Sequence, residues 1–219
     1  MSFPTLEPVA RGPIAGLVAG AIRDGIVEGS FPAGMQLTEV HLAEQLKVSR
    51  GPVREAFQRL IQEGLLVNEP HRGVFVVSLD AGDVDDLYLA RRAIEREAAR
   101  QLLRRDDRGA VRRLDALVKE MAAAARSGTW SAIADVDLAF HEALVDASGS
   151  DRLRRMYATL LVETRLCLAG LRDAHPDPKQ VVAEHRAVVK ALRSGDEVEA
   201  LRRVDAHLDR AATGPTKAG

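Results

Sequence analysis

Apolar residues recur at helical spacing along most of this chain. Ile14, Leu17, Val18, Ala21, Ile22 and Ile26 mark a first helix over about 13–28. The stretch Gly29-Ser30-Phe31-Pro32-Ala33-Gly34 reads as a turn. Thr38 is placed to cap a second helix that runs through Leu46, with Leu42 and Leu46 facing inward. Lys47-Val48-Ser49 connects it to a third helix over about 50–63. There Val53, Ala56, Phe57 and Leu60 form one buried stripe at i, i+3, i+4 and i+7. Ser49 can act as its N-cap, and Pro52 sits early, where a missing N–H costs little. The period then changes. Leu65-Leu66-Val67-Asn68 and Val74-Phe75-Val76-Val77 read as two short strands around the turn Glu69-Pro70-His71-Arg72-Gly73. Three helices and a two-stranded wing make a winged helix-turn-helix over 13–79, behind a loose tail at 1–12.

After Leu79 the helical period returns and persists. It predicts helices at about 83–105, 107–127, 130–147, 151–172, 178–194 and 196–212. Turn formers or N-caps punctuate them at Asp106-Asp107, Ser127-Gly128, Ser148-Gly149, His175-Pro176-Asp177-Pro178 and Ser194-Gly195. The expected architecture is mainly α: the winged helix-turn-helix, then an all-helical antiparallel bundle over 80–212, then a frayed end at 213–219.

Composition narrows the class. Of 219 residues, 46% are hydrophobic and 29% charged, so a packed core is expected rather than disorder; aromatics at 4% favour helix over sheet. The single cysteine, Cys167, cannot form an intrachain disulfide or a cysteine-based zinc finger, and it fits a reducing cytoplasm. Met1–Ala10 lacks a basic start and holds two prolines, so it does not read as a signal peptide. No run reaches the ~18 apolar residues a membrane span needs. The formal net charge is −1. Residues 1–79 carry seven Lys/Arg and eight Asp/Glu. Any affinity for nucleic acid must therefore come from local clustering of Arg50, Arg54, Arg59 and Arg72 rather than from a global field.

Two groups of residues carry candidate chemistry. In the first, the third helix buries one stripe and presents Arg50 and Arg54 near its N-terminal end. This suits the major groove, where arginine bonds the O6/N7 edge of guanine. The competing reading of Arg54 is a salt bridge to Glu55 or Glu39, and Arg59, later on the helix, fits a solvated face. In the second, Asp137 and His141 share a helix face at i, i+4, while His185 and His207 lie within the apolar period of two later helices. Brought together in a bundle core, these four would suit zinc, nickel or manganese. Each histidine taken singly reads first as a hydrogen-bonded core residue rather than a ligand. His41, His71 and His175 fit no such pattern. Trp130 and Tyr88 read as packing residues, Tyr157 as packing or an effector-pocket residue, and Cys167 as pocket or core rather than a catalytic thiol.

Together these features resemble GntR-family transcriptional regulators, of the FadR subfamily with an FCD effector domain. The resemblance spans about Ile14 to Leu208. It rests on Leu42-Ala43-Glu44-Gln45-Leu46-Lys47-Val48-Ser49-Arg50-Gly51-Pro52-Val53-Arg54-Glu55-Ala56, on Glu63-Gly64-Leu65, and on Arg72-Gly73-Val74-Phe75-Val76. In the second domain it rests on Leu87–Glu95, with Arg91 at the family's R-x-x-x-E arginine, on Asp137-Leu138-Ala139-Phe140-His141, and on Glu184-His185-Arg186 and Ala206-His207-Leu208. The resemblance implies a homodimer on a two-fold symmetric double-stranded operator, contacted by Ser49, Arg50, Gly51 and Arg54 with Arg72 and Gly73 in the wing. It also implies a metal held by Asp137, His141, His185 and His207, and a small carboxylate effector helped by Arg91; for Arg91 the alternative is an i, i+4 pair with Glu95. Two positions depart from the pattern. Gly51 replaces a common Thr or Ser, and Val40 stands where some members carry a basic residue.

A rival from another class is a metal-dependent helical-bundle enzyme using the same four residues. It leaves the third helix unexplained and lacks an evident general base. A metal or metabolite sensor that acts without DNA is a further possibility.

Overall fold

The computed structural model of the chain describes residues 14–27, 29–127, 130–170 and 177–212. The expected tails at 1–12 and 213–219, the end of the 151–172 helix and His175 lie outside the described residues. The chain divides into two compact units between Val76 and Val77.

In the first unit, α1 (Ile14–Val27), α2 (Glu39–Leu46) and α3 (Arg50–Gln62) precede a small sheet. α1 and α2 both pack on α3, whose buried face is the expected Val53, Ala56, Phe57 and Leu60. Thr38 caps α2, its hydroxyl accepting from the His41 N–H. Lys47 closes α2 in the left-handed conformation at φ 55°. Ser49 occupies the N-cap position of α3 in extended conformation but makes no side-chain cap bond, contrary to expectation. Part of the reason is local: a cap hydroxyl bonds the N2 or N3 N–H, and N3 here is Pro52, which has none, so Gly51 is left as the one cap donor.

The wing is β2 (Leu66–Glu69) and β3 (Gly73–Val76), one residue out of step with the sequence reading of both strands. A third strand, β1 (Gln36–Leu37), adds to β3 to give the order β1-β3-β2, all antiparallel. Two residues are too few to show a period, so β1 is not among the elements the sequence predicts. Gly73 holds φ at +109°, and a Cβ there would lie 2.9 Å from Gln36 Nε2, which donates to the Arg72 carbonyl. Gly73→Ala should therefore cost about 1–3 kcal/mol through backbone strain. Urea unfolding followed by circular dichroism would show it as a lowered first midpoint; an unchanged midpoint would mean the wing relaxes around the methyl group.

In the second unit six helices follow: α4 (Ala81–Arg105), α5 (Arg108–Ser127), α6 (Trp130–Asp146), α7 (Asp151–Gly170), α8 (Pro178–Ser194) and α9 (Glu197–Ala212). α4 starts two residues earlier than its apolar period implied. Asp80 and Asp83 form a reciprocal capping box that satisfies the first N–H groups. α4 packs on α6, α7 and α9; α5 packs on α6 and α8; α8 packs on α9. Their shared core includes Leu102, Leu114, Met121, Phe140, Val189 and Leu208. No helix among the described residues is long and apolar enough to cross a membrane.

Candidate metal centre and DNA-facing helix

The bundle core contains a polar knot. Asp137 and His141 on α6, His185 on α8 and His207 on α9 bring one ligand atom each within 4.8 Å of one another. All three imidazoles are buried, and Asp137 is nearly so. Amphipathic periodicity explains the placement: each histidine sits in the apolar stripe that its helix turns inward. Phe140 meets the His185 ring edge-on at 4.6 Å, and the His141 and His207 rings stack 5.0 Å apart.

Each imidazole is fixed from behind. His141 Nδ1 lies 2.6 Å from Glu95 Oε2, His207 Nδ1 lies 3.0 Å from Glu184 Oε2, and His185 Nδ1 lies 2.8 Å from the Val181 carbonyl. Burial would push the Glu95 carboxyl up. The charges of His141 and Arg91 and the hydrogen bonds from His141 and Tyr157 outweigh it and hold the group down at about 2. Glu184 is likewise below the usual carboxylate range: burial opposes, but His207 and Arg210 prevail. Ionised carboxylates and carbonyls only accept, so all three Nδ1 atoms donate. The three Nε2 atoms are then lone-pair atoms in the neutral rings, and they converge on Asp137.

That arrangement fits a cation. His141 Nε2 and His207 Nε2 stand 3.1 Å apart, and two lone pairs at that distance repel unless a cation or proton stands between them. His185 Nε2 is buried without a hydrogen bond although Asp137 Oδ1 is 3.1 Å away. Bonds of ~2.0–2.2 Å to one transition ion would place neighbouring ligand atoms roughly 3–3.5 Å apart. The electrostatics agree. Asp137 is held far below its usual range: burial opposes, while adjacent His185 and the charges of His141 and His207 favour the anion. Burial also lowers the His185 pKa, but Asp137 prevails and raises it. His207 is lowered to about 4, by burial first and then by the His185 charge.

Beside the knot lies Arg91, fully buried, its Nε donating to Glu95 Oε1 at 3.0 Å and its guanidinium 4.9 Å from the centre of the Tyr88 ring. This is the i, i+4 pair weighed as the alternative for Arg91. Yet Arg91 Nη2 is buried without a hydrogen-bond partner. Tyr157 donates to the same Glu95 oxygen at 2.6 Å. Sequence reasoning saw Glu95 only as the partner of Arg91 and did not single out Glu184. Its adjacency to His185 in sequence gave no signal that it would serve His207, one helix further on. Cys167 is half-buried, and burial pushes its thiol up to about 11, which does not suit a nucleophile.

On the first unit, Ser49, Arg50, Gly51 and Arg54 are exposed along the start of α3, and Arg72 is exposed in the wing. The Arg54 guanidinium forks onto Glu39 at 2.8 and 2.9 Å, and Arg50 reaches the same carboxylate at 3.4 Å. The competing salt bridge is thus present in the free protein, with Glu39 as the partner. Arg59 pairs with Glu63 one turn on. Arg72 pairs with Glu69 and stacks over Phe75. A Cβ at Gly51 would meet nothing within 4 Å, so packing does not require glycine there.

Comparison with known proteins places both units. Residues 15–76 match the bacterial regulatory proteins of the gntR family, and residues 86–210 match the FCD domain. The chain is 32% identical over 185 residues to the "probable D-xylose utilization operon transcriptional repressor" of Paenarthrobacter nicotinovorans, covering 82% of this chain and 80% of that one. It is 23% identical over 197 residues to the gluconate operon transcriptional repressor of Bacillus subtilis, covering 88% and 81%. A solved structure bearing the GntR name, from Rhodococcus sp. RHA1, superposes with a TM-score of 0.79 at 28% identity, over 92% of this chain and 97% of that one. The chain therefore belongs to the gntR family of bacterial regulatory proteins, carries an FCD domain behind its winged helix, and is a transcriptional regulator rather than an enzyme.

Proposed function

We propose that this regulator is a metal-dependent sensor of the FadR subfamily, a repressor whose operator affinity is set by a small carboxylate. The observation that carries the reading is the convergence of three Nε2 atoms and one carboxylate in a buried core, each imidazole held by an acceptor behind it. Such outer partners fix the tautomer and orientation that a metal needs. Asp137, His141, His185 and His207 would hold a divalent transition ion, zinc, nickel or manganese. Bound there, the ion supplies positive charge and open positions for an effector oxygen. Arg91 Nη2, a buried donor without a partner, is the protein's own group for the carboxylate. A relative named for a gluconate operon is consistent with an organic acid as the signal.

The domain from 13 to 79 reads DNA. Arg50 and Arg54 face base edges, Ser49 and Gly51 approach the backbone closely, and Arg72 and Gly73 of the wing fix register. The free Ser49 hydroxyl supports a phosphate contact, because no cap bond engages it. The domain from 80 to 212 senses. A homodimer would present two such helices to a two-fold symmetric operator. The effector shifts the dimer between arrangements only by its difference in affinity for them.

Metal analysis of the purified protein tests the sensing half. About one transition ion per chain is expected in the wild type and none in His185→Ala. No metal in either after reloading would remove the four-ligand site and leave the histidines as direct hydrogen-bond partners of the effector.

A further inference from the structure

Glu95 has two oxygens and three partners, and the partners differ in what they tolerate. Oε2 accepts from His141 Nδ1, while Oε1 accepts from Arg91 Nε and Tyr157 Oη. All four side chains are buried, so water cannot substitute for a lost partner. The Arg91 guanidinium donates only, at any accessible pH. Tyr157 can turn its hydroxyl to donate or accept. His141 is the adaptable member: a neutral imidazole carries its proton on either nitrogen, according to what faces Nδ1.

We infer that Glu95 is a positioning residue that keeps the His141 proton on Nδ1, and that Arg91 enforces this choice. The inference rests on the metal reading of the knot but concerns how the ligand is prepared rather than whether a metal binds. A carboxylate satisfies both sides of Glu95 at once. An amide does not, because it has one accepting oxygen and one donating NH₂. With the oxygen toward His141, the NH₂ faces Arg91 Nε–H, donor against donor, and a buried guanidinium loses its counter-charge. Turned the other way, the oxygen serves Arg91 and Tyr157, and the NH₂ faces His141 Nδ1. His141 must then accept at Nδ1 and carry its proton on Nε2. Leaving a buried charge without an acceptor costs far more than a tautomer shift. Moreover, His207 Nε2 waits 3.1 Å away to accept that proton. The shifted tautomer is therefore satisfied on both nitrogens, and it points an N–H where the lone pair stood. One of four ligands is cancelled although no ligand residue has changed. The same carboxylate thus joins the buried arginine to the metal knot.

Glu95→Gln tests this with two readouts. Long-range ¹H–¹⁵N spectra of the metal-free proteins, at roughly pH 8.5, above the ordinary imidazole range near 6.5, report which ring nitrogen of each histidine is protonated. Wild-type His141 should carry its proton on Nδ1 and the variant on Nε2, with His185 unchanged. Cobalt(II) titration against a competing chelator should show an affinity some 10–100-fold weaker in the variant. A variant that keeps Nδ1–H overturns the inference, whatever happens to cobalt affinity. So does an Nε2–H on His141 in the wild type, a measurement that stands even if the variant does not fold. Failure of the wild type to bind cobalt would instead strike the metal reading, while the tautomer comparison would still decide the role of Glu95.

Discussion

Arg54→Ala should abolish selective operator binding while leaving both domains folded and the histidine–aspartate knot intact. A bidentate arginine–guanine pair contributes about 1–3 kcal/mol of discrimination. In a two-fold symmetric complex the pair would be used twice, and its loss would amount to roughly 30-fold to more than 10,000-fold in specific affinity. Against this, the cost to stability is small. Arg54 is 59% exposed, and its guanidinium is engaged by the fork onto Glu39. An exposed ion pair of that kind contributes little to stability, because solvent screens it. An arginine proposed to read bases thus contributes little to folding, so the two effects separate cleanly. Glu39 holds the Arg54 guanidinium in one plane before DNA arrives; binding must break or share this fork, and a rigid donor loses less freedom on docking. Fluorescence anisotropy with duplex DNA from upstream of the protein's own gene and a scrambled duplex, at one stated salt concentration, is the measurement. Equal operator affinity for Arg54→Ala and wild type would remove the base-reading role and leave Arg54 as a surface partner of Glu39. Balanced charge in the DNA-binding domain sharpens the test, because no global positive field exists to mask the loss of one contact.

The helices and the buried faces were legible in the sequence because long amphipathic periods leave little choice. Val53, Ala56, Phe57 and Leu60 fall on one face of α3 whatever else the chain does, and they are buried there. The same period placed His141, His185 and His207 inside, and the structure brings them together with Asp137. What the sequence did not show lies where partners come from other helices. Glu95 belongs to α4 and serves His141 on α6; Glu184 belongs to α8 and serves His207 on α9. No spacing rule links residues 46 positions apart. The Ser49 cap failed for a subtler reason, since the residue type was suitable but one of its two donor positions held a proline. β1 was invisible because its two residues owe their strand form to β3, not to their own pattern. Arg91 illustrates a reading that resolved both ways: its i, i+4 partner is present, and a second guanidinium nitrogen is still unsatisfied.

Loading the protein with a divalent transition ion should raise the melting temperature of the helical domain by roughly 8–16 °C, and His185→Ala should lose that gain. An ion present at a thousand times its dissociation constant stabilises the folded state by about 4 kcal/mol. For a domain of this size each kcal/mol moves the midpoint by roughly 2–4 °C or somewhat more. The gain should also vanish in acid, and the sign follows from the groups in the knot. His207 has its pKa lowered to about 4 in the fold, mainly by burial, against about 6.5 in an unfolded chain. Between these values the unfolded chain takes up a proton that the fold refuses. His207 thus contributes stability above pH ~6.5 that is lost as pH falls toward 4. The lowered pKa values of Asp137 and Glu95 act in the same direction at lower pH: their contribution is present above the ordinary carboxylate range and disappears below it. His185 opposes them. Its pKa is raised by Asp137 despite burial, so its contribution is present below pH ~6.5 and is lost as pH rises through the folded value. A metal ion replaces that proton and removes this alkaline loss, whereas in acid it must displace protons to bind at all. Calorimetric scans with and without chelator should therefore show the widest gap between the two curves near pH 8 and a closing gap toward pH 5. A gap that is constant with pH would mean the ion sits away from the histidines, and no gap at any pH would mean that the knot is held by hydrogen bonds alone.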